Sequence, residues 1–217
     1  IREYRPSDGV RFIHWKSSAK HNKLLVKEFE AHSATRVTIL LDVERKNVGD
    51  DPVDNNFEFL IKTVASMVNY LSAMYCQIFF VTSYGSAKEL FRISGETFSV
   101  REQILETLAA LEPSDYPLSA MLDSEIERLW PKSIFYCLTM SEPQNIGKRL
   151  DFLSEKGIDA RWILAPAKYF PDKSLPQMAA ARHEQTAEEQ KIKERHKALA
   201  PFVARRDLSI AQMLNYG

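Results

Sequence analysis

The chain is poor in the residues that announce the commonest chemistries. It has only two cysteines, Cys76 and Cys137, in 217 residues. A disulfide framework needs more cysteines in a smaller domain. Both sit beside or within apolar runs, so both read as buried thiols in a reducing compartment. Glycines number seven. There is no Gly-x-x-x-x-Gly-Lys-Ser/Thr loop and no Gly-x-Gly-x-x-Gly turn, which excludes the usual backbone cradle for a nucleotide phosphate. A Gly-x-Ser-x-Gly elbow is also missing, so no serine is offered as an activated nucleophile. Lys plus Arg and Asp plus Glu both total 29. Without a basic excess, the electrostatic footprint of a nucleic-acid binder is absent. No apolar run reaches the ~20 residues of a membrane span.

What remains is an α/β pattern. Residues 36–42 and 77–83 are continuous apolar runs, as expected of strands buried on both faces. Residues 89–93 are a third strand, 133–138 a fourth and 158–164 a fifth, ended by Pro166. The short link around Tyr84 is too brief for a parallel crossover, so 77–83 and 89–93 form an antiparallel hairpin. Between the strands, apolar residues recur in steps of three and four. Phe57, Leu60, Ile61, Val64, Val68, Leu71 and Tyr75 mark a helix capped by the Asn55-x-x-Glu58 box. Val100, Ile104, Leu105, Leu108 and Leu111 mark a second, with Ser99 as its cap and Pro113 as its stop. Residues 117–130 and 147–156 make two more, the latter ending at Gly157. This order predicts a mostly parallel five-stranded sheet with one antiparallel edge, ordered 3-2-1-4-5.

The last fifty residues differ. Residues 177–199 are rich in Ala, Glu and Lys, with Glu188–Lys191 and Glu189–Lys193 as helix-supporting pairs. Apolar positions there (Met178, Ala181, Ile192, Leu199) are sparse. The stretch reads as a solvated helical appendage, or as a docking helix for a partner. The apolar residues Leu208, Ile210, Met213 and Leu214 could dock back onto the body.

The first thirty residues interleave charged groups with bulky ones: Arg2-Glu3-Tyr4, Pro6, Asp8, Arg11, Ile13-His14-Trp15-Lys16 and Ala19, then Leu24, Val26, Lys27, Glu28 and Phe29. This pattern resembles the signature of the bacterial family called domain of unknown function 58. It departs from that signature at Ser7, usually Gly, and at Lys20, usually Arg. The resemblance implies a von Willebrand factor A-like (Rossmann-like) sandwich, in agreement with the periodicity. It also implies a membrane-anchored parent whose membrane helices and small β-rich region precede the motif. The chain starts at Ile1 at the edge of that motif, so it is expected to be cut from such a protein and to lie at the cytoplasmic face of the membrane. The partner implied is a MoxR-type AAA+ ATPase acting in protein assembly or maturation. The organisation expected is a signature arm at 1–34 packing on the domain, the A-like domain at 35–166, and a helical appendage at 167–217.

Ligands of open α/β sheets bind beyond the carboxyl ends of the strands. The loops at 42–54, 83–88, 113–119 and 139–145 are therefore the candidate surface. In von Willebrand A-type domains, Asp-x-Ser-x-Ser at this edge holds Mg²⁺, a hard ion that needs oxygen ligands. Here the Asp is kept as Asp42, but Glu44 and Lys46 replace the two serines, and Thr139-Met140-Ser141-Glu142 follows the fourth strand. A lysine ammonium there repels a divalent ion and can pair with Asp42 instead. Asp50, Asp51 and Asp54 read as a charged surface loop.

The expectation is a non-enzymatic protein-interaction module without cofactor or metal. Its recognition residues are Asp42, Glu44, Lys46, Ser119, Ser141 and Glu142. Charge reversal at Asp42 or Glu142 is then expected to spare stability. In the arm, Arg2, Glu3, Tyr4, Asp8, Arg11, His14, Trp15 and Lys16 are read as a brace, with Tyr4 and Trp15 buried as anchors. One alternative is a Mg²⁺-dependent adhesion-type domain. The other is a hydrolase using His14 oriented by Asp8, a pairing that lacks a convincing nucleophile.

Overall fold

The structure is a computed structural model that describes residues 2–4, 14–26, 35–84, 90–143, 145–170, 178–196 and 199–205. The chain forms two compact units, Ile1–Ala34 and Thr35–Gly217.

In the first unit, strand β1 (Arg2–Glu3) pairs antiparallel with β2 (Leu25–Val26), and helix α1 (Trp15–His21) lies between them in sequence. His14 caps α1, its Nδ1 accepting from the Ser17 amide at 3.1 Å. Asn22, in the left-handed region at φ 54°, ends it. Ser18 ties helix to strand: its Oγ accepts from the Leu25 amide at 2.9 Å and donates to the His14 carbonyl at 3.1 Å. Trp15 is not the buried anchor expected, because it opens a short helix and is 64% exposed. Tyr4 is half-buried.

The second unit is built on one sheet. Its strands are β3 (Arg36–Leu41), β4 (Gln77–Ser83), β5 (Leu90–Glu96), β6 (Ile134–Thr139), β7 (Asp159–Leu164) and β8 (Phe202–Val203). They run in the order β5-β4-β3-β6-β7-β8. Only β4–β5 is antiparallel. The first five strands follow the expected order, and Val37 pairs with Ile134 as that order requires. The sheet has six strands rather than five. β8 adds in parallel to β7 through Phe202 and Val203. Two residues following Pro201 carry no alternation, so nothing in the sequence marked them.

Helices cover both faces. α2 (Asn56–Ala73) and α3 (Thr97–Ala109) pack together. On β5, Gly95 lets α3 approach, since a Cβ there would stand 2.6 Å from the Val100 side chain. Arg92, three residues earlier, lies on the opposite face. There it pairs with Glu125 of α4 (Leu118–Ile126). α5 (Ile146–Glu155) joins α4 through Arg149 and Asp123 at 2.8 Å. The core between the layers includes Phe80, Phe135, Ile39, Leu40 and Leu41, all fully buried.

Three boundaries shift. α3 begins at Thr97, so Ser99 lies inside its first turn rather than capping it. α4 ends at Ile126, giving way to a turn before Pro131. The break expected at 166/167 has no counterpart, because α6 (Met178–Arg195) and β8 belong to the body. Ile192 of α6 is 1% exposed, and Tyr169, Phe170, Val203 and Ala204 are in the core. Glu189 meets Lys193 at 2.9 Å as expected, whereas Glu188 pairs with Lys168 across to the body. Residues 208–214 lie outside the described residues.

Candidate functional site

The carboxyl ends of β3 and β6 lie side by side, and Asp42 follows β3 directly. Asp42 is fully buried. Its Oδ1 accepts from the Glu44 amide and its Oδ2 from the Met140 amide, each at 2.9 Å. One carboxyl thus staples the loop after β3 to the loop after β6. Burial pushes its pKa up to about 6, against the two backbone donors, which pull it down.

Glu44 is also buried. Its Oε1 meets the Lys46 ammonium at 2.7 Å, and its Oε2 accepts from Asn47 Nδ2 at 3.1 Å. Asn47 Nδ2 also reaches Ser141 Oγ at 3.1 Å. The Glu44 carboxylate holds the Lys46 pKa above its ordinary value. A parallel bridge joins Glu44 to Ser114. In it the Arg45 amide donates to the Ser114 carbonyl and the Ser114 amide to the Val43 carbonyl, both at 2.8 Å. Beside it, Arg45 reaches Asp115 at 3.4 Å. Asn56, fully buried at the start of α2, donates to the carbonyls of Asn47 and Ala165 and accepts from the Gly49 amide. The Trp162 indole donates to Thr139 Oγ1 at 2.9 Å.

Of the residues singled out in sequence, Asp42, Glu44, Lys46 and Ser141 converge here. Lys46 pairs with Glu44 rather than with Asp42. Ser119 is exposed in the first turn of α4 and has no part in the network. Glu142 is engaged internally: Arg195 at 2.8 Å and His196 at 3.0 Å hold its carboxylate, and the His196 ring packs edge-on against Trp162. Glu142 is thus engaged within the chain, and this pairing argues against the neutrality expected of a charge reversal there. Glu142→Lys is expected to cost about 1 kcal/mol, as for partly exposed pairs. It should also speed proteolytic cutting near α6. Cleavage at the wild-type rate would refute a role for the Glu142 pairing in holding α6.

Asn47, Asn56, Ser114, Thr139, Trp162 and His196 were not picked out by sequence. Asn56 could have been, since two consecutive asparagines at a helix start leave one free of the capping duty. In the arm, Arg2 and Glu3 form β1, the Tyr4 amide donates to the Leu24 carbonyl, and Lys16 is exposed in α1. His14 spends its Nδ1 lone pair on the helix cap. Asp8 and Arg11 lie outside the described residues.

The residues do not fit a divalent ion. Both Asp42 oxygens are taken by amides, one Glu44 oxygen by an ammonium and the other by an amide nitrogen. Among the described residues, no three His, Cys, Asp or Glu side chains are arranged to hold a metal. Both cysteines are buried, and burial raises both thiol pKa values, so neither is a thiolate nucleophile. No helix among the described residues is long and apolar enough to cross a membrane.

Solved structures that share this fold include two bacterial proteins. One is an aerotolerance-related membrane protein from Bacteroides fragilis carrying multiple mutations to serine. It is 13% identical with a TM-score of 0.54, over 83% of this chain and 96% of that one. The other is the conserved hypothetical protein BatB from Bacteroides thetaiotaomicron, 14% identical with a TM-score of 0.52, over 83% of this chain and 94% of that one. Among curated proteins, none matches the sequence significantly. The model of one family matches residues 1–130, signature arm included, and the chain belongs to that family, described as protein of unknown function DUF58.

Proposed function

We propose that this chain is a non-enzymatic protein-interaction module on a von Willebrand A-like body. In this reading it is the cytoplasmic part of a membrane-anchored bacterial protein, and it works with a MoxR-type AAA+ ATPase in protein assembly or maturation. The observation that carries the proposal is the pairing of rigidity and exposure at the carboxyl edge. Glu44 and Ser114 lock two loops together through backbone hydrogen bonds. On that fixed backbone the side chains of Arg45, Lys46 and Asp115 stand 62%, 72% and 86% exposed. Charged groups on a rigid loop frame lose little conformational freedom on binding, which favours specific recognition.

Family membership supports the ATPase partnership only by the resemblance already drawn. The name of one structural neighbour, an aerotolerance-related membrane protein, supports a context of aerotolerance and of a membrane-bound parent. The hydrolase reading loses ground because His14 caps a helix, and the Mg²⁺ reading because the edge carboxylates are already satisfied.

The test is co-purification of the ATPase with full-length protein from cells, comparing wild type with Arg45→Glu and Asp115→Lys. Exposed substitutions of this kind change stability by about 0.5 kcal/mol or less. Both variants should melt like wild type and lose most ATPase capture. Undiminished capture by both would remove the carboxyl edge from the interface.

A further inference from the structure

We infer that the groove beside the border strand β5 is a docking site for an acidic, extended segment of a partner protein, which joins the sheet as a further strand next to β5. Three observations carry this. The first is an open apolar groove of about 410 Å³, on the sheet face that α4 covers only in part. Its floor is Phe79 and Ser94, register partners on β4 and β5. Its wall is Glu125, Leu129 and Trp130. Phe79 is half-buried, Ser94 is exposed and Trp130 is 49% exposed, so this chain leaves the lining open to water.

The second observation is a positive rim. Arg92 and Arg128 line the groove, and the Arg36 guanidinium lies 4.7 Å over the Trp130 ring. Among the lining residues Glu125 is the one carboxylate, and Arg92 engages it. Arg36 and Arg128 have no carboxylate partner among the described residues. The chain as a whole has no net charge, so the excess is local. It complements a ligand that carries carboxylates.

The third is the border itself. β5 ends the sheet, and among the described residues nothing pairs with its outer side. It runs against β4 in continuous register from Leu90 to Glu96, without a bulge. Border strands are ordinarily blunted by a proline, a bulge or an outward charge. β5 has no proline, and its Arg92 is turned onto Glu125. A strand added there gains main-chain hydrogen bonds, and every second side chain lies on the groove face. An aromatic residue beside Ser94 covers Phe79, and carboxylates before and after it on the same face meet the arginine rim. This surface is separate from the carboxyl edge and goes beyond the function proposed above.

The experiment is fluorescence anisotropy of a labelled peptide, Thr-Glu-Thr-Phe-Thr-Glu-Thr, titrated with the full chain. Binding should weaken as salt is added. The peptide with lysine at both glutamate positions should bind about tenfold more weakly or worse, because like charges then meet at the rim. Arg128→Glu, at an exposed position, should weaken the parent peptide by a similar factor. Should that variant not fold, Trp130→Ala is read in the same way. Two further peptides carry backbone N-methyl groups, one on the threonines and one on the other residues. Alternate residues of a strand point their amides to opposite sides, so at least one of these peptides should lose binding. A parent dissociation constant weaker than about 1 mM overturns the inference. So does equal binding of the lysine peptide, wild-type affinity in Arg128→Glu, or retention by both methylated peptides. A wild-type dimer in sedimentation that Arg128→Glu dissolves would give the groove to a second copy of this chain, and overturns it as well. The probe is a peptide rather than the ATPase, so failure here is distinguishable from failure of the capture experiment.

Discussion

Asp42→Ala is expected to lower the stability of the body by about 3–5 kcal/mol near pH 5, because two buried amides lose their acceptor and a void opens. The cost should be smaller near pH 8. Asp42 has an ordinary pKa of 3.8 and a folded value of about 6. Between those values the folded state binds more protons than the unfolded state, so stability falls as pH rises. The favourable contribution of the protonated group is complete below about pH 4 and lost as pH climbs through about 6, a swing of roughly 3 kcal/mol for a shift of this size. At alkaline pH the wild type therefore carries a buried anion that the alanine variant lacks. Urea unfolding of both proteins across that range is the measurement. A stability gap that is constant with pH, or that widens toward alkaline pH, would contradict the assigned direction of the shift. The sequence-based expectation that a change at Asp42 spares stability is reversed here, because the carboxyl is a backbone staple.

Asn56→Ala should be the second costly change, by about 3 kcal/mol, since a fully buried side chain loses three hydrogen bonds, one fully buried and two partly so. The side chain donates to the Asn47 and Ala165 carbonyls at 2.9 Å each and accepts from the Gly49 amide at 2.8 Å. It therefore joins the loop after β3 to the end of β7. Asn56→Asp separates the contributions: it keeps the acceptor for Gly49 and loses both donors. Hydrogen exchange at the Gly49 amide should accelerate strongly in the alanine variant and much less in the aspartate variant. A loss of less than about 1 kcal/mol, the worth of one ordinary hydrogen bond, would mean that water replaces the side chain.

The sheet was readable where burial on both faces forces continuous apolar runs. Residues 36–41, 77–83 and 134–139 are such runs, 159–164 showed itself by its apolar end from Trp162 to Leu164, and the short link after Ser83 dictated the antiparallel partner. The sixth strand was not readable, because a two-residue strand has no period. The docking of α6 escaped for a related reason. Among the described side chains of α6, Ile192 is deeply buried while Glu188, Glu189 and Arg195 form ion pairs, and charged residues in that proportion give the composition of a solvated helix. At the edge, sequence named Asp42, Glu44, Lys46 and Ser141 because they occupy loops after strands. It could not see that the oxygens of Asp42 face amides, since backbone donors leave no mark on a sequence. Trp15 shows the opposite error: a large aromatic in a conspicuous motif suggested an anchor, and its ring is largely exposed.

The position of β3 has a kinetic consequence. It is the first strand of the body and lies inside the sheet, with β4 on one side and β6 on the other. Its pairing with β4 joins Val37 to Ile78, but its other edge waits for Ile134. On a chain emerging from the ribosome, β3 thus presents an unpaired hydrophobic border while roughly a hundred residues are added, at about 5–20 residues per second. Closing so long a loop costs entropy before any contact rewards it. During those seconds the exposed border of β3 is the surface a chaperone would hold, and the one where nascent chains would join wrongly.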